Sequence, residues 1–228
     1  MQRLVTPFGF RSTAAQVAGG IDLTSKRIII TGGAAGVGLA TTARVLASAG
    51  AEITLAVRRP EAAQPVAGEL RQATGNPAIE VRQLDLSDLR SVHSFVDDWA
   101  GPLHVLINNA GIMAVPELER TPQAFELQFG TNYLGHFALT LGLHRFLAAA
   151  NGARVVSVSS SAHFFSPVIF DDLGFDFVPY TPIGAYRQSK SAAALLAVGI
   201  TQKWAGVSFQ TRSTPAPLRP DFRSIPGA

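Results

Sequence analysis

Near the end of the chain, the stretch GAYRQSKSAA sets a phenol, Tyr186, four residues before an ammonium, Lys190. On a helix that spacing puts both side chains on one face, one turn apart. A free phenol titrates near pKa ~10 and is a poor acid or base at neutral pH. A neighbouring ammonium favours the phenolate and brings its proton into exchange range. The other tyrosines, Tyr133 and Tyr180, have Phe137 and Gly184 at the fourth position, so only Tyr186 has such a partner. A Tyr/Lys pair arises often by chance, and the elements around it decide its meaning.

A second candidate is TGGAAGVG, residues 31–38, with Thr31 leading, Gly32, Gly36 and Gly38 spaced along it, and Val37 between the last two. Glycines at a strand-to-helix junction let backbone approach a pyrophosphate, whose charge the free N–H groups of the helix N-terminus accept. The run KRIIITGG before it and VGLATTARVLASAG after it supply that strand and helix, the latter with Val37, Ala40, Val45 and Leu46 on one face. In LAVRRP, Val57 stands where an acid would meet a ribose 2′-hydroxyl, and Arg58 and Arg59 follow. Absence of the acid and presence of the base point to NADP, with NAD as the alternative. In RQLDLSD, Asp85, with Leu86 beside it, ends the third strand, where ligands of such sheets bind. Ser87 is expected to cap the next helix, leaving Asp85 free for an adenine amino group.

These residues need elements to position them. AEITLAV, AIEVRQLD, LHVLINNAG and ARVVSVSSS read as strands two to five. Helices are expected over 61–73, 89–99, 124–150 and 189–204. Strands alternating with helices give an α/β fold, a doubly wound (Rossmann) parallel sheet with helices on both faces. Residues 1–24 form an arm, with a short helix capped by Ser12 or Thr13 and ended by Gly19 and Gly20. Residues 25–206 form one dinucleotide-binding and catalytic domain, and 228 residues suit such a unit.

Composition narrows the function classes. The apolar share is 47% and the charged share 15%, as in a chain with a substantial core. Net charge is +3, but Arg212, Arg219 and Arg223 against Asp221 carry a surplus of two near the end. The rest holds 16 of the 19 basic and 15 of the 16 acidic residues, which gives no reason to expect nucleic acid. No run reaches the ~18 apolar residues of a membrane span, and the start is not expected to act as a signal peptide. Zero cysteines exclude disulfides and thiolate metal sites and fit a cytoplasmic protein. The five histidines make no metal spacing; His136 and His163 read as packing or edge residues.

TGGAAGVG, NNAG (residues 108–111), TNYLGHF (131–137), VSVSSSAH (156–163) and YRQSK (186–190) occur together and in this order. In that the chain resembles the short-chain dehydrogenase/reductase family. The arm FGFRSTAAQVAGGIDLTSK and the phrase NYLGHF are similar to its retinol-dehydrogenase-like and WW-domain-oxidoreductase-like branch, from about Phe8 to Gly206. The resemblance implies an NAD(P)-dependent oxidoreductase that interconverts a small-molecule alcohol and a carbonyl. It implies that Tyr186 exchanges the proton with the substrate oxygen, while Lys190 lowers the phenol pKa and holds the nicotinamide ribose. Ser160 would hydrogen-bond the carbonyl, with Ser159 or Ser161 in its place if the strand shifts register. Asn132 would hold the water and backbone that connect Lys190 to solvent, and Asn109 would sit against the cofactor ribose. Homo-oligomerisation stays open.

The end breaks the family pattern. The resemblance calls for a sixth strand, a His-Pro-Gly turn, a pair of substrate-covering helices and a seventh strand. QTRSTPAPLRPDFRSIPGA, residues 210–228, stands there instead, with four prolines and three arginines. One permitted back-translation of QTRSTPAP, read from its third base, gives Asn-Ala-Leu-His-Pro-Gly-Ala, which suggests a change of reading frame between about Val207 and Gln210. The expectation is that the last strands and the lid are missing and that 207–228 is an aberrant, disordered tail adding no strand, since proline lacks the N–H a ladder needs. Two rival functions follow from it: a dinucleotide-binding remnant without turnover, or a regulatory partner of a full-length homologue.

Overall fold

The computed structural model describes residues 6–9, 11–32, 37–204 and 210–216, with backbone alone for 37–40 and 210–216. Ahead of the sheet, helix α1 (Ala14–Val17) is capped by Thr13, whose hydroxyl accepts from the Gln16 N–H while the Gln16 side chain accepts from the Thr13 N–H. Strand β1 (Arg27–Thr31) carries Ile28, Ile29 and Ile30, all buried and alternating between the two faces. Ile28 and Ile30 pack with Ala43 and Ala47 of α2 (Val37–Ser48) and with Ala63, Ala67 and Leu70 of α3 (Pro60–Thr74). Ile29 faces the opposite core, with Phe95 of α4 (Leu89–Asp97), Leu139 of α6 (Gly135–Gly142) and Leu147 of α7 (His144–Ala149). Both faces are therefore covered, which explains why the strands read as continuous apolar runs. On α2, Ala43, Leu46 and Ala47 meet the core; Val45 does not join it, and the side chains of Val37 and Ala40 lie outside the described residues.

Strands β2 (Glu52–Val57), β3 (Ile79–Gln83), β4 (Val105–Asn108) and β5 (Arg154–Ser160) pair in parallel with β1 in the order β3-β2-β1-β4-β5. The order reverses between β1 and β4, so a crevice opens at their carboxyl ends, where Thr31 and Asn108 finish. A sixth parallel strand, β6 (Gln210–Ala216), lies beside β5 in the register Arg154↔Gln210 to Ser160↔Ala216. The expectation that nothing after residue 206 adds a strand is thereby corrected. Ladder bonds use backbone groups that most residues supply, and β5 offers seven residues of otherwise unpaired edge. The single proline of β6, Pro215, stands on an edge strand, the one sheet position that tolerates it. Residues 207–209 and 217–228, expected to belong to a disordered tail, lie outside the described residues.

Two helices also differ from expectation. The long helix over 124–150 is broken into α5 (Leu127–Phe129), a π-helical turn (Gly130–Leu134), α6 and α7. It starts late because Ala124 takes a positive φ and Glu126 caps α5, accepting from the Gln128 and Phe129 N–H groups. The last helix, α8 (Pro182–Lys203), begins seven residues earlier than read. Thr181 caps it through the Gly184 N–H and Pro182 takes the first turn, where a missing N–H costs nothing.

Gly135 opens α6 against the backbone carbonyl of Leu86, and a Cβ there would collide with that oxygen. Gly135→Ala is expected to cost about 2 kcal/mol or more, read as a melting temperature lower by roughly 4 °C or more. Gly68→Ala, on an exposed face of α3 with open space around its Cα, should leave the melting temperature unchanged or slightly raised. Equal effects of the two changes would remove this account of the α6–Leu86 contact.

Candidate active site

Helix α8 carries Tyr186, half-buried, and Lys190, 5% exposed, on adjacent turns of one face. The Lys190 Nζ lies 5.7 Å from the Tyr186 ring centroid and donates to the Val158 carbonyl of β5 at 3.3 Å. Burial pushes the Lys190 ammonium down to about 8, because desolvation penalises its charge. At neutral pH it is still mostly a cation.

Two neighbours make room for that cation. A Cβ at Gly111 would stand 3.1 Å from Asn132 Oδ1 and 3.3 Å from Lys190 Nζ, so glycine lets both polar groups close in on the backbone after β4. The Asn132 side chain is fully used: Oδ1 accepts from the Ile112 N–H, while Nδ2 donates to the Ile112 carbonyl and the Ser189 hydroxyl. Ser189 in turn donates to the Tyr186 carbonyl.

The three serines at the end of β5 separate by what they touch. Ser159 donates to the Lys190 carbonyl and is committed to the backbone of α8. Ser161 begins the 3-10 turn Ser161–Phe165. The buried Ser160 hydroxyl accepts from the Ala162 N–H at 3.2 Å and keeps its own proton to donate. Ser191, on the next turn of α8, donates to the His163 and Ser166 carbonyls and ties the segment after Ser160 to the same helix.

Across the crevice, Thr31 is fully buried at the end of β1, and its hydroxyl accepts from the Asn109 and Ala110 N–H groups. The Asn109 side-chain amide donates to the Thr31 carbonyl. Gly32 has φ +71°, and a Cβ there would lie 3.0 Å from the Ala110 Cβ, so both conformation and space demand glycine. Gly36 lies outside the described residues; Val37 and Gly38 are placed by backbone only, in the first turn of α2.

Arg58 and Asp85 are not brought to this cluster; they stand at the carboxyl ends of β2 and β3, on the other half of the crevice. Val57 is buried at 3% exposure, and Arg58 and Arg59 are exposed. One oxygen of Asp85 is engaged: Oδ1 accepts from both the N–H and the hydroxyl of Ser87. Asp88, not Ser87, caps α4 through the Arg90 N–H. The reason is local: Ser87 is held by Asp85 in a tight turn, so the next side chain along meets the helix end. Leu86 is buried, with its carbonyl against Gly135. Sequence reasoning missed Gly111, Gly135 and Ser189. All three lie inside quoted motifs, NNAG, TNYLGHF and YRQSK, but nothing in those motifs states what each residue touches. Among the described residues there is no group of three or more His, Asp or Glu side chains able to hold a metal ion, and no helix is long and apolar enough to cross a membrane.

Comparison with known proteins agrees with this geometry. Residues 26–171 match the family described as short chain dehydrogenase. A "Probable oxidoreductase" of Streptomyces antibioticus is 51% identical over 185 residues, covering 81% of this chain and 61% of the relative. Human retinol dehydrogenase 12 is 39% identical over 194 residues, covering 84% and 60%. The chain thus spans about three fifths of the length of these curated relatives. Among solved structures, an uncharacterised protein from Mycobacterium paratuberculosis superposes with TM-score 0.76 at 40% identity, over 85% of this chain and 69% of that one. A gluconate 5-dehydrogenase from Burkholderia cenocepacia, solved with NADP and tartrate, gives TM-score 0.64 at 26% identity, over 84% and 71%. The ordered motifs, the strand order and these matches converge: the chain belongs to the short-chain dehydrogenase/reductase family.

Proposed function

We propose that this chain carries the site of an NADP-dependent oxidoreductase that interconverts an alcohol and a carbonyl, with Tyr186, Lys190, Ser160 and Asn132 as its working residues. The observation that carries the reading is the buried Lys190 ammonium beside the Tyr186 ring, at the carboxyl edge of a sheet that belongs to a dehydrogenase family. The residues present fit a dinucleotide. Gly32 lacks a Cβ where the backbone turns under Ala110, and the strand order reverses at that point. Arg58, exposed beyond a buried Val57, fits a 2′-phosphate better than a free hydroxyl. When bound, the nicotinamide supplies or accepts the hydride.

The chain's own work is the proton and the oxygen. In the reducing direction, Tyr186 Oη gives its proton to the substrate oxygen as alkoxide character develops there, and it takes the proton back in the oxidising direction. The Lys190 cation beside the ring stabilises the phenolate left behind. The Ser160 hydroxyl donates to the same substrate oxygen, a stabilisation worth most in the transition state. Asn132 holds Ile112 and Ser189 in place, and through Ser189 the Tyr186 backbone. The relatives' names include retinol and polyprenol dehydrogenases, which supports an alcohol/carbonyl pair as the substrate class. The rival reading is a dinucleotide-binding chain without turnover.

Three outcomes test this reading. First, NADPH titrated by its fluorescence is expected to bind more tightly than NADH, and Arg58→Ala should weaken NADPH about tenfold with NADH little changed; equal affinities would remove the NADP preference. Second, with an aldehyde present the chain should oxidise NADPH, and Tyr186→Phe should abolish turnover while leaving NADPH affinity within about twofold, the mark of a group that acts only where the proton moves. Turnover surviving in Tyr186→Phe would place the acid elsewhere, and NADPH binding without any turnover would select the rival.

Third, the unfolded Lys190 titrates near ~10.4 and the folded one near about 8. Between those values the unfolded chain binds a proton that the folded chain does not, so stability rises with pH across that window. Lys190→Met should therefore raise the melting temperature at pH 7 and abolish the rise above pH 8. An unchanged pH profile in this variant would show that Lys190 is not held at a cost.

A further inference from the structure

His136 has no part in the proton transfer described above, yet it is 3% exposed and lies between the two halves of the site. Its Nδ1 stands 2.9 Å from the Asn132 carbonyl and its Nε2 stands 2.8 Å from the Thr31 hydroxyl. A carbonyl oxygen can only accept, so Nδ1 carries a proton. Burial pushes the imidazole down to about 4, and the Lys190 cation adds to that, so the ring is neutral and Nε2 is bare. Nε2 therefore accepts from the Thr31 hydroxyl. That direction leaves the lone pairs of the Thr31 oxygen for the two N–H groups that reach it, from Asn109 at 2.9 Å and Ala110 at 3.0 Å. The other acceptor near the Thr31 hydroxyl, the Ile107 carbonyl, is 3.4 Å away, so the histidine is the stronger partner.

The bonds on either side extend this one in both directions. The Asn132 side chain reaches Ser189, and Ser189 reaches the Tyr186 carbonyl. Thr140, one turn along α6, donates to the His136 carbonyl and accepts from the Asn108 side chain of β4. A continuous buried column thus runs from the turn after β4, through the end of β1, to the catalytic helix. In it His136 joins a hydroxyl donor, Thr31, to a carbonyl acceptor, Asn132, through one ring. We propose that His136 is a positioning residue: as a neutral imidazole with its proton on Nδ1, it locks the turn carrying Asn109 and Ala110 to the helix carrying Tyr186 and Lys190. The proposal rests on the dinucleotide reading for what that turn holds, but its hydrogen-bond direction does not.

The inference has a spectroscopic test and a binding test. In the 15N-labelled chain without cofactor, two-bond proton–nitrogen spectra are expected to show the His136 ring protonated at Nδ1 and bare at Nε2 at pH 7. The opposite tautomer, or an imidazolium, would overturn the proposal. A role in packing alone sets no tautomer, so this readout separates the two. For binding, His136→Phe fills the volume without the bonds and Thr31→Val removes the hydroxyl; each is expected to weaken NADPH about tenfold. The double variant should weaken it by about the same tenfold, because both changes cut one joint. A hundredfold loss in the double variant would overturn the coupling. If the unaltered chain fails to bind NADPH, the dinucleotide reading falls and the tautomer alone decides the proposal.

Discussion

The arrangement turns on one cation taken out of water. Lys190 is 5% exposed, and the only hydrogen bond its Nζ makes to the described residues is to the Val158 carbonyl at 3.3 Å. A buried ammonium is costly unless its surroundings are polar and close. Each unusual neighbour answers that need. Gly111 has no Cβ, so the Asn132 amide oxygen and the ammonium share the space beside it. Ser159 grips the Lys190 backbone carbonyl from β5, and the early cap at Thr181 starts α8 soon enough to bring Tyr186 into the same cluster. A site with a weakly solvated cation next to a phenol is well placed to manage a phenolate, which is the property the proposed chemistry needs.

The second constraint is the reversal of strand order between β1 and β4. Parallel strands covered on both faces leave only their carboxyl ends open to a ligand. At that opening Thr31 gathers two N–H groups on one oxygen, and Gly32 turns with φ +71° under Ala110. The π-helical turn at Gly130–Leu134 carries Asn132, and Gly135 just after it brings α6 onto the Leu86 carbonyl at the far side of the crevice. Among the described residues the two halves of the crevice are thus joined by close backbone approaches.

Much of this was legible in the residues. Triple isoleucine before TGG read as a buried strand, and the four-residue spacing of Tyr186 and Lys190 identified a shared helical face. What the sequence did not disclose depends on contacts between distant segments. The late start of the helix expected over 124–150 follows from the turn at Ala124 and from a cap at Glu126, a residue type uncommon at that position. Ser87 looked like the cap of α4; the Asp85–Ser87 turn moved the cap to Asp88. The strand Gln210–Ala216 was hidden by prolines, since strand propensity weighs side chains while an open edge recruits backbone. His136 was invisible as anything but core, because its two partners sit 105 residues and four residues away along the chain.

The most direct measurement is the titration of the Lys190 side chain itself. Selective 15N labelling of lysine, with Lys190 assigned by its absence in Lys190→Met, follows the Nζ resonance between pH 6 and 11. The account predicts a midpoint near about 8 for Lys190, well below the ~10.4 of a free lysine side chain. A Lys190 midpoint at the exposed value would mean that the cation is solvated, and the picture of a site organised around a buried ammonium would be wrong.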